Sequence, residues 1–131
     1  MIEVERSRVF ESTPGELWQR VGDFHGLHNW HPAITESKPS DDGTGRTLTT
    51  ADGAEIAESL VSEGELTYTY RIDESPLPVQ SYESTLIVRE ADSGAEFIWS
   101  AKFEGAGMSD DEAAELIAQF YDAGFESLTS T

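Results

Sequence analysis

From about residue 33 to residue 104 the sequence repeats one pattern, and only one long apolar helical stripe follows it. The pattern is a short run of strand-forming residues closed by a turn signal. The breaks are Ser40-Asp41-Asp42-Gly43-Thr44-Gly45, Ala51-Asp52-Gly53, Ser62-Glu63-Gly64-Glu65, Pro76-Leu77-Pro78 and Ala91-Asp92-Ser93-Gly94. Asp-Gly and Ser-Gly pairs in such places mark tight antiparallel turns, because glycine accepts the positive φ that hairpins require. An antiparallel sheet with one apolar face needs a cover. The only large cover available is the last segment. It opens with Ser109-Asp110-Asp111-Glu112, a capping box with acidic residues at the positive helix end. After it Ala113, Leu116, Ile117, Phe120, Tyr121, Gly124 and Leu128 recur at helical spacing. That makes an amphipathic helix of about five turns.

Ahead of the strand-rich region, residues 2–10 read as a strand of Val, Ile and Phe with charges between them. Thr13-Pro14-Gly15-Glu16 then supplies an N-cap, a proline at the first helical position and a glutamate at the third. Leu17, Trp18 and Val21 follow in a short helix that Gly22 ends. Phe24 to Trp30 forms one more helical turn, stopped by Pro32, since the residue before a proline avoids helical geometry. The expected fold class is α+β: a curved antiparallel sheet of about seven strands around a long C-terminal helix, with two short helices after strand 1. No linker, repeat or low-complexity stretch divides the 131 residues, so one domain over 1–131 is expected.

Alternation assigns the faces of these strands. Leu66, Tyr68, Tyr70 and Ile72 share one side, as do Phe97, Trp99, Ala101 and Phe103, and Tyr82, Ser84, Leu86 and Val88. Ile56, Glu58 and Leu60 go together, and Leu48 brings Arg46 and Thr50 inward with it. The inner face is therefore rich in aromatic rings and carries two charges, Arg46 and Glu58. A buried charge costs several kcal/mol unless it is paired, hydrogen-bonded or wet. Three resolutions are open: the two pair with each other, they line a wet or ligand-filled cavity, or a bulge in a short strand leaves the charge solvated. Tyrosines suit a cavity wall because the ring packs while the hydroxyl offers a hydrogen bond.

Charge narrows the partners. Acidic residues number 26 against 8 basic ones, a formal charge of −18 spread along the chain. Such a surface repels nucleic-acid backbones and anionic headgroups, so neither nucleic acid nor an acidic membrane is an expected partner. It also suits a protein working in concentrated salt, where self-repulsion is screened. No stretch approaches the roughly 20 apolar residues that span a bilayer, and the start Met1-Ile2-Glu3-Val4-Glu5 is unlike a secretory signal. A cytoplasmic protein, monomeric or homodimeric, is expected. With no cysteine there is no disulfide, thiolate nucleophile or thiolate metal site.

The layout resembles the START-related superfamily (SRPBCC), which includes polyketide cyclases and dehydratases, pollen-allergen-type carriers and abscisic-acid receptors. It is most similar to the small polyketide-cyclase-like group. The residues that carry the likeness are Val9-Phe10, Pro14-Gly15-Glu16-Leu17-Trp18, Val21-Gly22-Asp23-Phe24 and Trp30-His31-Pro32, then Arg46-Thr47-Leu48, Asp52-Gly53, Glu58-Ser59-Leu60, Tyr68, Tyr70, Leu77-Pro78, Tyr82, Trp99 and Phe103. The resemblance implies a helix-grip fold with a cavity between concave sheet and helix. It places Ser75-Pro76-Leu77-Pro78-Val79 in a loop at the mouth, a candidate lid, and Trp30 and His31 near one end. The candidate ligand-binding set is Trp30, Arg46, Glu58, Tyr68, Tyr70, Tyr82, Trp99 and Phe120.

A small hydrophobic or polyketide-like ligand, bound or carried, is the expected function. The alternative is a cyclase or dehydratase-like enzyme in which a desolvated Glu58 is the acid or base and Arg46 or Tyr70 steadies an enolate oxygen. Pairing with Arg46 opposes that role, because it lowers the Glu58 pKa. A second alternative is a protein-interaction module that meets a basic partner through its acidic surface. His25, His28 and His31 read as surface or cavity-rim residues rather than metal ligands, since the first two share a helix face that the third does not. No phosphate loop or dinucleotide fingerprint is present and no cofactor is expected.

Overall fold

The capping box at Thr13 forms in full, and at Ser109 the side-chain cap on the Glu112 N–H forms without the return bond to the Ser109 N–H. Thr13 Oγ1 accepts the Glu16 backbone N–H at 3.1 Å, and Glu16 Oε1 accepts the Thr13 N–H at 3.1 Å. Ser109 Oγ accepts the Glu112 N–H at 3.2 Å and donates to Glu112 Oε1 at 2.9 Å. The computed structural model describes residues 2–129. Its elements are β1 (Ile2–Phe10), α1 (Pro14–Val21), a 3-10 helix (Leu27–Asn29), β2 (Ile34–Pro39), β3 (Gly45–Thr50), β4 (Glu55–Gly64), β5 (Thr67–Glu74), β6 (Val79–Ala91), β7 (Gly94–Gly105) and α2 (Asp110–Thr129). This is the α+β helix-grip arrangement, with both short helices between the first two strands. No helix among the described residues is long and apolar enough to cross a membrane.

The strands form one open antiparallel sheet in the order β1-β7-β6-β5-β4-β3-β2. Consecutive strands pair as hairpins except that β1 lies beside β7, so α1 and the 3-10 helix carry the chain from one sheet edge to the other. Register shifts interrupt β4 at Ala57/Glu58 and at Leu60/Ser62, and β6 at Gln80/Glu83. Each bulge bends its strand and adds twist, which curls the sheet toward the helix. The face assignment holds for β3, β5, β6 and β7: Leu48, Tyr68, Tyr70, Tyr82, Leu86, Phe97, Trp99 and Phe103 are all buried. Leu66 departs from it. β4 continues to Gly64, which pairs with Thr67, and Leu66 sits in the intervening turn at φ 60° rather than in a strand.

Helix α2 lies over β1 and β7 rather than over the middle of the sheet. Phe125 meets Phe97 edge-on at 5.0 Å, and Tyr121 stacks on Trp99 at 4.2 Å. A glycine lets this seam close. A Cβ on Gly124 would lie 2.9 Å from both Trp30 and His31, whose rings fill that space. The displacement of α2 toward β1 leaves the concave side of β3, β4 and β5 only partly covered. The hollow of the fold lies there.

Candidate functional site

The hollow is a cavity of about 130 Å3. The sheet supplies Leu48 and Thr50 from β3, Ile56 and Glu58 from β4, Tyr70 and Ile72 from β5, and Tyr82 from β6. Helix α2 closes it with Leu116, Ile117 and Phe120, and Leu27, Ala33 and Leu77 complete the rim. Most of this wall is aliphatic or aromatic. The size is near that of an engineered apolar cavity of about 150 Å3 that takes up benzene, and below the roughly 300 Å3 of ordinary ligand pockets. A ring-sized molecule fits.

The charged lining residue is Glu58. It stands directly opposite Arg46 across the β3–β4 pair, and the bulge beside it bends the strand without releasing the side chain to solvent. Arg46 Nε donates to Glu58 Oε1 at 2.8 Å and Nη2 lies 2.6 Å from the same oxygen. Arg46 Nη1 donates to the Phe24 carbonyl, and the guanidinium sits 4.2 Å from the Phe24 ring and 4.9 Å from that of Tyr70. The first of the three resolutions is thus realised, since the charges pair; Glu58 in addition lines the cavity, whereas Arg46 does not. Oε2 has no hydrogen bond among the described residues.

Burial pushes the Glu58 carboxyl above its ordinary pKa, against the pull of Arg46. Burial works to lower the pKa of Arg46, but Glu58 together with Tyr68 and Tyr70 more than offsets it, so the net shift is upward. An arginine does not shed its proton, so it keeps the carboxylate ionised as its counter-ion; a lone buried guanidinium would be far costlier.

Beside the ion pair runs a line of buried hydroxyls. Tyr70 meets Tyr82 at 3.3 Å, Tyr82 meets Tyr121, and Tyr121 meets Ser84 Oγ at 3.0 Å. Burial raises the pKa of Tyr70, Tyr82 and Tyr121 well above the usual value, so all three stay neutral. His31 is fixed too. Its Nε2–H donates to the Phe120 carbonyl at 2.7 Å, because a carbonyl only accepts, and its Nδ1 therefore accepts the Ala33 N–H at 3.1 Å. Burial drops its pKa to about 4. His25 instead reaches the Gly43 carbonyl, and His28 is exposed. Among the described residues no three His, Asp or Glu converge as a metal site would require.

Of the candidate set, Glu58, Tyr70, Tyr82 and Phe120 line the cavity. Arg46 stands behind Glu58 with no exposed side-chain surface. Tyr68 packs between Trp18 and Phe24, away from the wall. Trp30 and Trp99 belong to the packed seam under α2, where their rings meet at 5.5 Å. Reading the sequence missed the roles of Ser84 and Tyr121 as the inner end of the hydroxyl line. A signal existed: Tyr121 falls on the buried stripe of the helix, and a buried tyrosine hydroxyl demands a partner.

Comparison with known proteins agrees with this fold. The family described as "Polyketide cyclase / dehydrase and lipid transport" matches residues 1–131. No curated protein matches the chain. Among solved structures, protein XoxI from Bacillus cereus is 34% identical, with a TM-score of 0.95 over 98% of this chain and 93% of that one. An uncharacterized protein from Bacillus thuringiensis is also 34% identical, with a TM-score of 0.93 over 97% of this chain and 96% of its own. A START superfamily protein from Mycobacterium smegmatis, 11% identical, shares the fold with a TM-score of 0.80 over 96% of this chain and 93% of its own. With its whole length matched, the chain belongs to the polyketide cyclase / dehydrase and lipid transport family.

Proposed function

We propose that this protein binds a small, largely apolar molecule in the cavity between β3–β5 and α2, as a cytoplasmic carrier or sensor. The observation that carries the reading is an apolar hollow whose charged lining group, Glu58, leaves one carboxylate oxygen without a protein partner. A carboxylate oxygen on the cavity wall that its counter-ion leaves uncontacted is open to accept a hydrogen bond from a bound molecule. Native mass spectrometry of protein from its own host tests the reading, together with a Leu116→Trp variant. Leu116 is half-exposed on the rim, so an indole there fills the cavity without disturbing the core. A mass adduct present in the unaltered protein and lost in the folded variant is expected. An adduct that persists in the variant places the ligand elsewhere and sinks the reading.

The same free oxygen favours a second reading, in which Glu58 takes a proton from a bound carbonyl compound, as in a cyclase or dehydratase. Against it stands Arg46, whose charge pulls the Glu58 pKa down and so opposes the rise that burial gives it. If Glu58→Gln binds the native ligand but no longer converts it, the enzyme reading replaces the carrier.

A further inference from the structure

One fixed acceptor, the Ser100 carbonyl, sets the hydrogen-bond directions in and behind the cavity wall. The wall's polar side chains are Thr50, Glu58, Tyr70 and Tyr82. Ser84, just behind them, sets the polarity. Its hydroxyl donates to the Ser100 carbonyl at 2.8 Å, a group that only accepts. The Ser84 oxygen therefore accepts from Trp99 Nε1–H and from the Tyr121 hydroxyl, each at 3.0 Å. With its proton committed to Ser84, Tyr121 accepts from Tyr82. Tyr82 in turn accepts from Tyr70 at 3.3 Å. Every phenolic proton in the line points away from the cavity. Thr50 directs its own proton to Asp52 Oδ1. Glu58, ionised beside Arg46, has only acceptor capacity, and the Arg46 side chain does not reach the cavity surface.

We infer that the cavity selects a ligand that donates a hydrogen bond, a ring-sized alcohol or phenol, over ketones and ethers of the same shape. The inference rests on the proposed binding role. Glu58 Oε2 and the open lone pair of Tyr70 are the two acceptors that such a hydroxyl meets. A carbonyl in the same place faces two acceptors and no side-chain donor. A site that leaves its buried polar groups unpaired rejects the wrong isostere strongly.

The probes are cyclohexanol and cyclohexanone, which share a ring and differ in whether the oxygen carries a proton. Each is titrated into the full chain and followed by nuclear magnetic resonance. Cyclohexanol is expected to bind at least about tenfold more tightly, the effect of one buried hydrogen bond. Tyr121→Phe breaks the relay, frees Tyr82 to turn its proton toward Tyr70, and lets Tyr70 aim its own at the ligand. Cyclohexanone affinity should then rise severalfold while the protein stays folded. Tyr70→Phe should weaken cyclohexanol alone. Equal affinities, or a preference for the ketone, overturn donor selection while leaving the cavity as a binding site. Unchanged ketone affinity in Tyr121→Phe overturns the relay. If neither probe binds the folded protein, the inference and the proposed function fall together.

Discussion

Arg46 and Glu58 are joined by two contacts to one carboxylate oxygen, with both side chains almost wholly buried. Removing one partner strands the other charge, which costs about 3–5 kcal/mol, whereas an apolar pair of similar volume is often neutral. Glu58→Ala is therefore expected to lower the unfolding free energy by that amount in urea titrations. Arg46→Met with Glu58→Leu should recover most of it; an equal loss in both variants would mean that packing, not charge, carries the effect. His31 gives the pH dependence. The folded protein holds it neutral down to about pH 4 while the unfolded chain takes up a proton near 6.5. Its contribution is fully present above that higher value and is lost as pH falls toward the lower one, a total of about 3 kcal/mol. Denaturant midpoints should thus fall between pH 6.5 and 5, and His31→Gln should flatten the decline. An unaltered slope in the variant would assign the decline to carboxylates instead.

At the scale of elements, the seam between α2 and the Trp30–His31 pair decides where the cavity lies. Gly124→Ala sets two effects against each other. Alanine favours an isolated helix by about 1 kcal/mol, but its Cβ would press on two aromatic rings at 2.9 Å. Overpacking of that kind typically costs about 1–3 kcal/mol, so a lower melting temperature is expected, and a higher one would mean that the seam is loose. What could be read from residue order differs by element. Period-two alternation placed Arg46 and Glu58 on the inner face because a strand offers only two faces. The helix caps at Thr13 and Ser109 were legible because their hydrogen bonds span three residues. Leu66 was not, since a turn that starts three residues later than Ser62 depends on pairing across β4 and β5. Nor was the fate of Trp30 and Trp99. Alternation says that a ring points inward, but not whether it meets packed α2 or the hollow beside it, which depends on where the helix comes to rest.

For the molecule as a whole, charge and cavity act independently. Surface ion pairs such as Arg6–Asp122, Arg71–Asp73 and Arg89–Glu96 already engage much of the scarce basic complement. With 26 acidic residues against 8 basic ones, the excess carboxylates repel one another across the folded surface. Raising potassium chloride from about 0.1 M to about 1 M shortens the screening length from about 10 to about 3 Å. The melting temperature should rise by several degrees; a flat response would show that repulsion contributes nothing. The central claim concerns the interior: a hollow between β3–β5 and α2 that admits a small molecule. Methyl-resolved nuclear magnetic resonance during a cyclohexanol titration tests it most directly. Saturable shifts are predicted at Leu48, Ile56, Leu77 and Ile117, which line the cavity, and none at exposed Val9. Shifts confined to surface methyls, or no saturable shift at the four lining residues, would contradict it.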